Sequence, residues 1–457
     1  MYLICKILEK FNFIETKNFN EPFFQQLIAE KLMSQALLLK KIRIICPSSP
    51  YHKTRQDLLI EHGSISQIGE IQKYPNDAKV VDASDWSVSA GWCDLRAVVC
   101  EPGFEGQDDV LSLCRSAAAG GFTDLAVLPN SQPVIQHKES IFFLKTKSAY
   151  SPVSLHPIAA LTTNTKGEEL AEMYDMHLSG AVAFSDGLCA TTHEGVIMRA
   201  LQYLQSFGGL MMNLPSVNHL GKGGQMHEGE MSVRLGMKGI PSLVEEMAIQ
   251  RDLKILEYTG GKIHFSCISS KEGVALVRNA KSQGLAVTCD ISANHLYFTD
   301  NDLFDFDTSL KVMPPFRSKT DQEALWKGLA DGTIDAICTN HHPLDQESKA
   351  LEFDLAAEGI LGLETAFGAI MSKKPDFIST ETIIEKLSTS PREILRIAQP
   401  KIAEGKPANL TIFAENDVWT VQAKDICSKS INTPFIGKKL KGRVLGIINR
   451  GQMSLKF

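Results

Sequence analysis

A chain of 457 residues with 44% hydrophobic and 22% charged content can bury a large core, enough for one big α/β barrel with an accessory domain or for three small domains. The net charge of -6 and the lack of any basic run argue against a nucleic-acid partner, and no apolar stretch approaches the roughly eighteen residues of a membrane-crossing helix. Ten cysteines without close pairing motifs, in a chain with no secretory signal, read as reduced thiols of a cytoplasmic protein.

Residues 1–32 are expected to be an N-terminal extension with no function of its own. Its apolar start, Met1-Tyr2-Leu3-Ile4-Cys5, lacks the basic region and long apolar core of an export signal. Phe23, Phe24, Leu27, Ile28 and Leu32 have the spacing of one amphipathic helix. Residues 33–86 hold short β-runs at 42–45, 57–61, 64–68 and 79–82, broken by Pro47, Pro50, Gly63 and Pro75. Residues 401–457 have the same character at 405–413 and 442–451. The two ends are expected to pair into one small composite β-sandwich.

Between them, residues 87–400 alternate short apolar runs with helical segments, the pattern of parallel strands joined by crossover helices. The runs fall at 88–95, 123–128, 153–159, 181–185, 210–214, 262–268, 286–291 and 335–339. Eight such units are what a (β/α)8 barrel requires. A doubly wound open sheet ranks below it, because no Gly-x-Gly-x-x-Gly opens a helix after an early strand.

In a barrel the C-terminal strand ends carry the site. The first reads Gly91-Trp92-Cys93-Asp94-Leu95-Arg96-Ala97-Val98-Val99-Cys100-Glu101-Pro102-Gly103. Alternation along a strand sends Asp94, Arg96 and Val98 to one side. An Asp-x-His-x-His there would set two imidazoles on one metal. Arg96 has only donors and stays charged, and Val98 has no donor atom at all. Later ends read Gly180-Ala181-Val182-Ala183-Phe184-Ser185-Asp186-Gly187, Met212-Asn213-Leu214-Pro215-Ser216, Ile263-His264-Phe265-Ser266-Cys267-Ile268 and Asp335-Ala336-Ile337-Cys338-Thr339-Asn340-His341-His342-Pro343-Leu344.

These segments resemble the dihydroorotase branch of the amidohydrolase superfamily. So do the long loop at 224–241 and the stretches at 311–317, 358–366 and 432–435, and the likeness runs from about residue 37 to residue 451. It implies a TIM barrel of the amidohydrolase type with a β-sandwich built from both chain ends. In active members it implies zinc, bound by residues of strands one, four, five, six and eight. By that likeness Arg96 and Val98 replace two histidines, Asp186 is the sole retained ligand, and Asn213 and Cys267 each replace a histidine. Asn340 replaces the aspartate that would serve as ligand and general base, and an amide accepts no proton at neutral pH. Cys100 and Leu344 stand for the arginine and histidine of the substrate-carboxylate clamp, with Asn130 retained as a substrate-binding residue.

The resemblance therefore implies a pyrimidine-biosynthesis protein with no catalytic residue and no bound metal. It would act as a non-catalytic partner of aspartate carbamoyltransferase, in a homodimer or larger oligomer. The alternative is an active dihydroorotase or other cyclic amidohydrolase that opens a ring amide C–N bond with a divergent site. A thiolate metal site drawn from Cys100, Cys267 and Cys338 with His264 and His341 lacks any supporting spacing. His341 and His342 are expected to bond to backbone or water, and His264 to sit inside the barrel. Arg96, a permanent cation, must find an anion or water. Either it pairs with Asp186 in the space of a metal pair, or it reaches solvent while Asp186 caps the following turn.

Overall fold

The computed structural model describes residues 36–217 and 219–457, so the helix expected at residues 23–32 lies outside the described residues. Two eight-stranded sheets dominate the architecture, beside a two-stranded one formed by Met226–His227 and Gly239–Ile240. In the first, Leu37–Ile45 pairs antiparallel with Arg55–Glu61, which pairs with Ser64–Gly69. Lys79–Asp82 and Ser87–Ala90 lie parallel to Leu37–Ile45. From the other chain end, Leu410–Thr420 adds antiparallel to Ser87–Ala90, followed by Lys439–Asn449 and Gln452–Leu455. The two ends thus meet in one sheet. Its buried face gathers Ile42, Ile44, Leu58, Ile60, Val88, Leu410, Ile412 and Ile448, and β-branched side chains such as isoleucine suit that pleated surface.

The second sheet is the barrel. Trp92–Val98, Phe122–Leu128, Ser154–Ala159, Ala183–Phe184, Met211–Asn213, Ile263–Phe265, Val287–Ser292 and Ala336–Cys338 run parallel in sequence order. The eighth strand meets the first through an Ala97–His341 bridge, where the Val98 N–H donates to the His341 carbonyl at 2.8 Å. Crossover helices pack outside. Val110–Gly120 shows why such a segment becomes a helix: Asp109 caps it by accepting from the Ser112 N–H at 2.7 Å, and Val110, Leu113, Cys114, Ala117 and Ala118 form one buried stripe. Gly121, at φ 95°, ends it where a Cβ would strike the Trp92 ring. Trp92 is fully buried among Phe122, Phe367 and Phe413 at ring separations of 5.0–6.0 Å. Each such side chain contributes about 1.5–3 kcal/mol by burial.

One expected strand was in fact two. Residues 88–95 divide at Gly91, with Ser87–Ala90 in the first sheet and Trp92–Val98 in the barrel. Gly91 passes where any Cβ would collide with Asn409 and Thr123, so the crossing between sheets needs glycine. Among the described residues no helix is long and apolar enough to cross a membrane.

Candidate functional site at the barrel mouth

The C-terminal strand ends open into a cleft of about 540 Å³ whose lining includes Arg96, Asn340, His342, Met313, Lys311 and Glu358. Strict alternation does not hold along the first strand, because its register with the second shifts between Asp94 and Ala97. Leu95 and Val98 consequently share one apolar cluster with Cys267 and Cys338. Asp94 turns to the eighth strand end, where its two oxygens accept from the Thr339 N–H and hydroxyl, each at 2.7 Å. Burial pushes the Asp94 carboxyl up to about 7 despite those bonds.

Arg96 is 1% exposed. Its Nε donates to Asn340 Oδ1 at 2.8 Å and its Nη2 to the Gly187 carbonyl at 3.1 Å. Nη1 has no hydrogen-bond partner among the described residues. The expected ion pair with Asp186 is absent, and so is the expected route to solvent. Asp186 is held elsewhere: its carboxylate accepts from the Thr162 N–H at 2.9 Å and from the Thr162 and Thr191 hydroxyls at 2.8 Å each. Those donors come from two other loops and saturate the carboxylate. Burial still pushes Asp186 above the usual carboxylate value.

Asn130, expected to bind substrate, is placed against the fourth strand's end. Its Nδ2 donates to the Asp186 carbonyl at 3.0 Å and its Oδ1 accepts from the Leu188 N–H at 2.8 Å, so the amide fastens the 186–188 turn and is not among the residues lining the cleft. Gly187, at φ 66°, makes this possible, since a Cβ there would overlap the Asn130 amide. Asn213 is likewise engaged away from the cleft. It donates to Asp252 Oδ2 at 2.7 Å, and its Oδ1 accepts from the Thr191 N–H at 3.2 Å. Asp252, on helix Leu243–Thr259, pairs with Arg251 at 2.7 Å, and burial pushes its carboxyl up to about 6.

Cys267 and Asn340 each lie two residues past the sixth and eighth strands, at φ 55° and 48°, conformations that side chains rarely adopt outside functional or strained positions. Cys267 Sγ lies 3.5 Å from Cys338 Sγ, and its N–H donates to Asp290 Oδ1 at 2.6 Å. Cys338 Sγ donates to the same oxygen at 3.3 Å, while Asp290 Oδ2 pairs with His264 Nε2 at 2.9 Å. Burial pushes Asp290 up, but the His264 hydrogen bond and charge, the Cys267 N–H and the Arg96 charge outweigh it and hold the carboxyl low. His264 sits inside the barrel as expected, with Nδ1 on Thr288 Oγ1 at 2.8 Å. His341 Nδ1 accepts from the Gly362 and Leu363 N–H groups at 3.2 and 3.3 Å, a backbone role as expected. His342 lines the cleft, and burial lowers its pKa to about 3.

Cys100 and Leu344 are buried and not among the lining residues; burial pushes the Cys100 thiol up to about 12. Asp290 and Asp252 were missed at the level of sequence. Asp290 did leave a signal, a carboxylate inside the apolar strand Val287–Ser292, since aspartate is almost never fully buried unless paired.

A barrel with its site at the mouth and a composite sheet from both chain ends is the architecture of the amidohydrolases, and two family profiles match: "Dihydro-orotase-like" over residues 88–273 and "Amidohydrolase family" over residues 210–453. The dihydroorotase of Geotalea daltonii is 36% identical over 419 residues, covering 91% of this chain and 98% of that protein. That of Pelotomaculum thermopropionicum is 38% identical over 403 residues, covering 88% and 94%. Among solved structures, the L-hydantoinase (dihydropyrimidinase) of Arthrobacter aurescens superposes with a TM-score of 0.79 at 23% identity, over 92% of this chain and 96% of that one. The chain belongs to the dihydroorotase family of the amidohydrolases.

The side chains at the mouth do not fit the metal that this family implies. The guanidinium of Arg96 lies between Asn340 and Gly187, Val98 packs in an apolar cluster, and both oxygens of Asp186 already accept hydrogen bonds. A cation there would meet a fixed positive charge and lack a free carboxylate.

Proposed function

We propose that this dihydroorotase-family protein does not hydrolyse dihydroorotate and serves pyrimidine biosynthesis as a structural or regulatory partner of aspartate carbamoyltransferase. The observation that carries the reading is the side chain of Arg96, held by Asn340 and the Gly187 carbonyl at the positions the family likeness gives to metal ligands and the general base. Removing ligands and base together leaves little metal-assisted rate, because such residues act as a unit. The contacts of the barrel surface then become the function, in a homodimer or larger cytoplasmic complex. Neither a catalytic residue nor a bound metal belongs to this reading, and Asn130 serves the 186–188 turn.

A second reading, an active cyclic amidohydrolase with a divergent site, is favoured by one group. Cys267, Asp290 and Cys338 place their ligand atoms within 4.8 Å of one another. Against it, both Asp290 oxygens are engaged by His264, Cys338 and the Cys267 N–H, and the group is fully enclosed. Elemental analysis of the unchelated protein, beside a dihydroorotate hydrolysis assay with added zinc, separates the two. No metal and no turnover, with co-purification of aspartate carbamoyltransferase, fits the first reading. Stoichiometric metal with turnover overturns it.

A further inference from the structure

Three guanidinium groups are buried among the described residues, Arg96, Arg317 and Arg392. Arg392 pairs with Asp124 and Arg317 is held by Ser269, His227 and the Ile240 carbonyl, and of the three only Arg96, at the mouth, keeps a guanidinium nitrogen without a partner. Arg96 forms no ion pair within 4.0 Å with any described residue: its partners are an amide oxygen and a backbone carbonyl, both neutral. Asp290 reaches it only through space and already holds His264, Cys338 and the Cys267 N–H. The other charged groups of the cleft, Lys311, Asp354 and Glu358, do not neutralise it. Lys311 directs its amine to the Phe353 and Asp354 carbonyls at 2.8 and 2.9 Å, and the carboxylates of Asp354 and Glu358 sit at the exposed rim. A guanidinium removed from water is stable when an anion or well-placed acceptors complete its five donors. Here Nη1 is without a partner, nine-tenths and more of the side chain is buried, and the group forms part of the cleft lining.

The neighbours of Arg96 extend the same chemistry. Asn340, also in the cleft lining, gives its oxygen to Arg96 Nε, and its Nδ2 has only a long contact of 3.5 Å to the Met313 carbonyl. Leu188, Leu214 and Met313 form apolar walls. A planar, two-oxygen acceptor matches a guanidinium edge and an adjacent amide better than a point anion does.

From this geometry we propose that the barrel mouth binds a small carboxylate through Arg96 Nη1 and Asn340 Nδ2, so that a fixed cation takes the ligand in the space where relatives would hold metal. The inference rests on the reading that no metal pair occupies the mouth. The exposed rim acids Asp354 and Glu358 disfavour large polyanions and leave small monocarboxylates and dicarboxylates as the ligand class.

The test uses the full-length chain, calorimetric titration and thermal melting with dihydroorotate and succinate as carboxylate probes and inorganic phosphate as the competing anion. Carboxylates bind and raise the melting temperature, as any ligand of the native state does. Arg96→Gln weakens that binding about 10- to 100-fold, the loss expected for a charge-assisted hydrogen bond. Its ligand-free melting temperature stays level or rises, because an uncompensated buried cation is removed. Asn340→Asp provides a second variant should the first fail to fold: its carboxylate neutralises Arg96 and abolishes carboxylate binding while the protein remains folded. Unchanged binding in Arg96→Gln or Asn340→Asp, or no binding by the parent at millimolar probe, overturns the proposal. Phosphate binding as tightly as the carboxylates overturns the assigned ligand class. Dihydroorotate turnover would instead overturn the functional reading above, whereas absent binding with absent turnover leaves that reading standing.

Discussion

Arg392 and Arg96 are each 1% exposed, one under the barrel and one at its mouth, and their surroundings are opposites. Arg392 donates to the Gly91 carbonyl at 2.5 Å, the Ser388 carbonyl at 2.9 Å, Thr123 Oγ1 at 3.1 Å and Asp124 Oδ2 at 2.5 Å. Asp124 also takes His156 Nε2 at 2.9 Å, and although burial pushes its carboxyl up, the His156 bond and the Arg392 charge hold it well below the usual range. The bottom of the barrel is a closed network that ties the first two strands to helix Thr389–Leu395. Arg96 has neutral partners and an N–H without one. The same residue type at equal burial therefore does different work: compensated charge at the N-terminal face serves stability, and uncompensated charge at the C-terminal face is placed for a ligand.

The largest expected effect tests the closed side. Asp124→Ala leaves Arg392 buried without its carboxylate and should destabilise the chain by about 3–5 kcal/mol, read as a lower urea midpoint or melting temperature. A loss near zero would show that the network contributes little. Next comes Asp94, whose folded pKa of about 7 exceeds the ordinary 3.8. The folded carboxyl holds its proton more tightly than the unfolded one, so this group's stability contribution is full below about pH 4 and falls as pH rises toward 7. Relative to the parent, Asp94→Asn should gain stability between pH 5 and pH 8, by at most about 4 kcal/mol. Melting curves of both proteins at the two pH values check this, and parallel pH profiles would refute it. Smaller still, Arg96→Met should shift stability by under about 1 kcal/mol in either direction. A loss comparable to that of Asp124→Ala would erase the contrast between the two arginines.

The contrast also explains what was legible in the sequence. Seven of the eight barrel strands coincide closely with apolar runs, because burial on both faces writes a continuous local signal. The remaining run, residues 88–95 at the first strand, hid a change of sheet at Gly91 that depends on Asn409 and Thr123, remote residues that no local pattern reports. The residue types at the mouth were readable, since an arginine in place of a ligand is a local fact. Their partners were not. Asp186 pairs with Thr162 and Thr191, Asn213 with Asp252, and Arg96 with Asn340, all contacts made by loops and strands that fold together from distant parts of the chain.

Those partners bear on the smallest predicted change, that of a double variant restoring histidines at Arg96→His and Val98→His. It should show no dihydroorotate turnover even with added zinc, despite recreating the histidine pair of the family pattern. The new imidazole at position 98 would enter the apolar cluster of Leu95, Cys267 and Cys338, where burial disfavours polar contacts. Asp186 would still be saturated by threonine hydroxyls, Asn213 would still hold Asp252, and Asn340 would still offer an amide where a base is required. Two ligands without the other strands' donors form half a site, and rate gains from groups that act as a unit do not accumulate one at a time. Measurable turnover in that variant would mean that Asp186, Cys267 or Asp290 can leave its present partners to complete a metal site. The mouth would then be one exchange of hydrogen bonds away from the chemistry of its relatives.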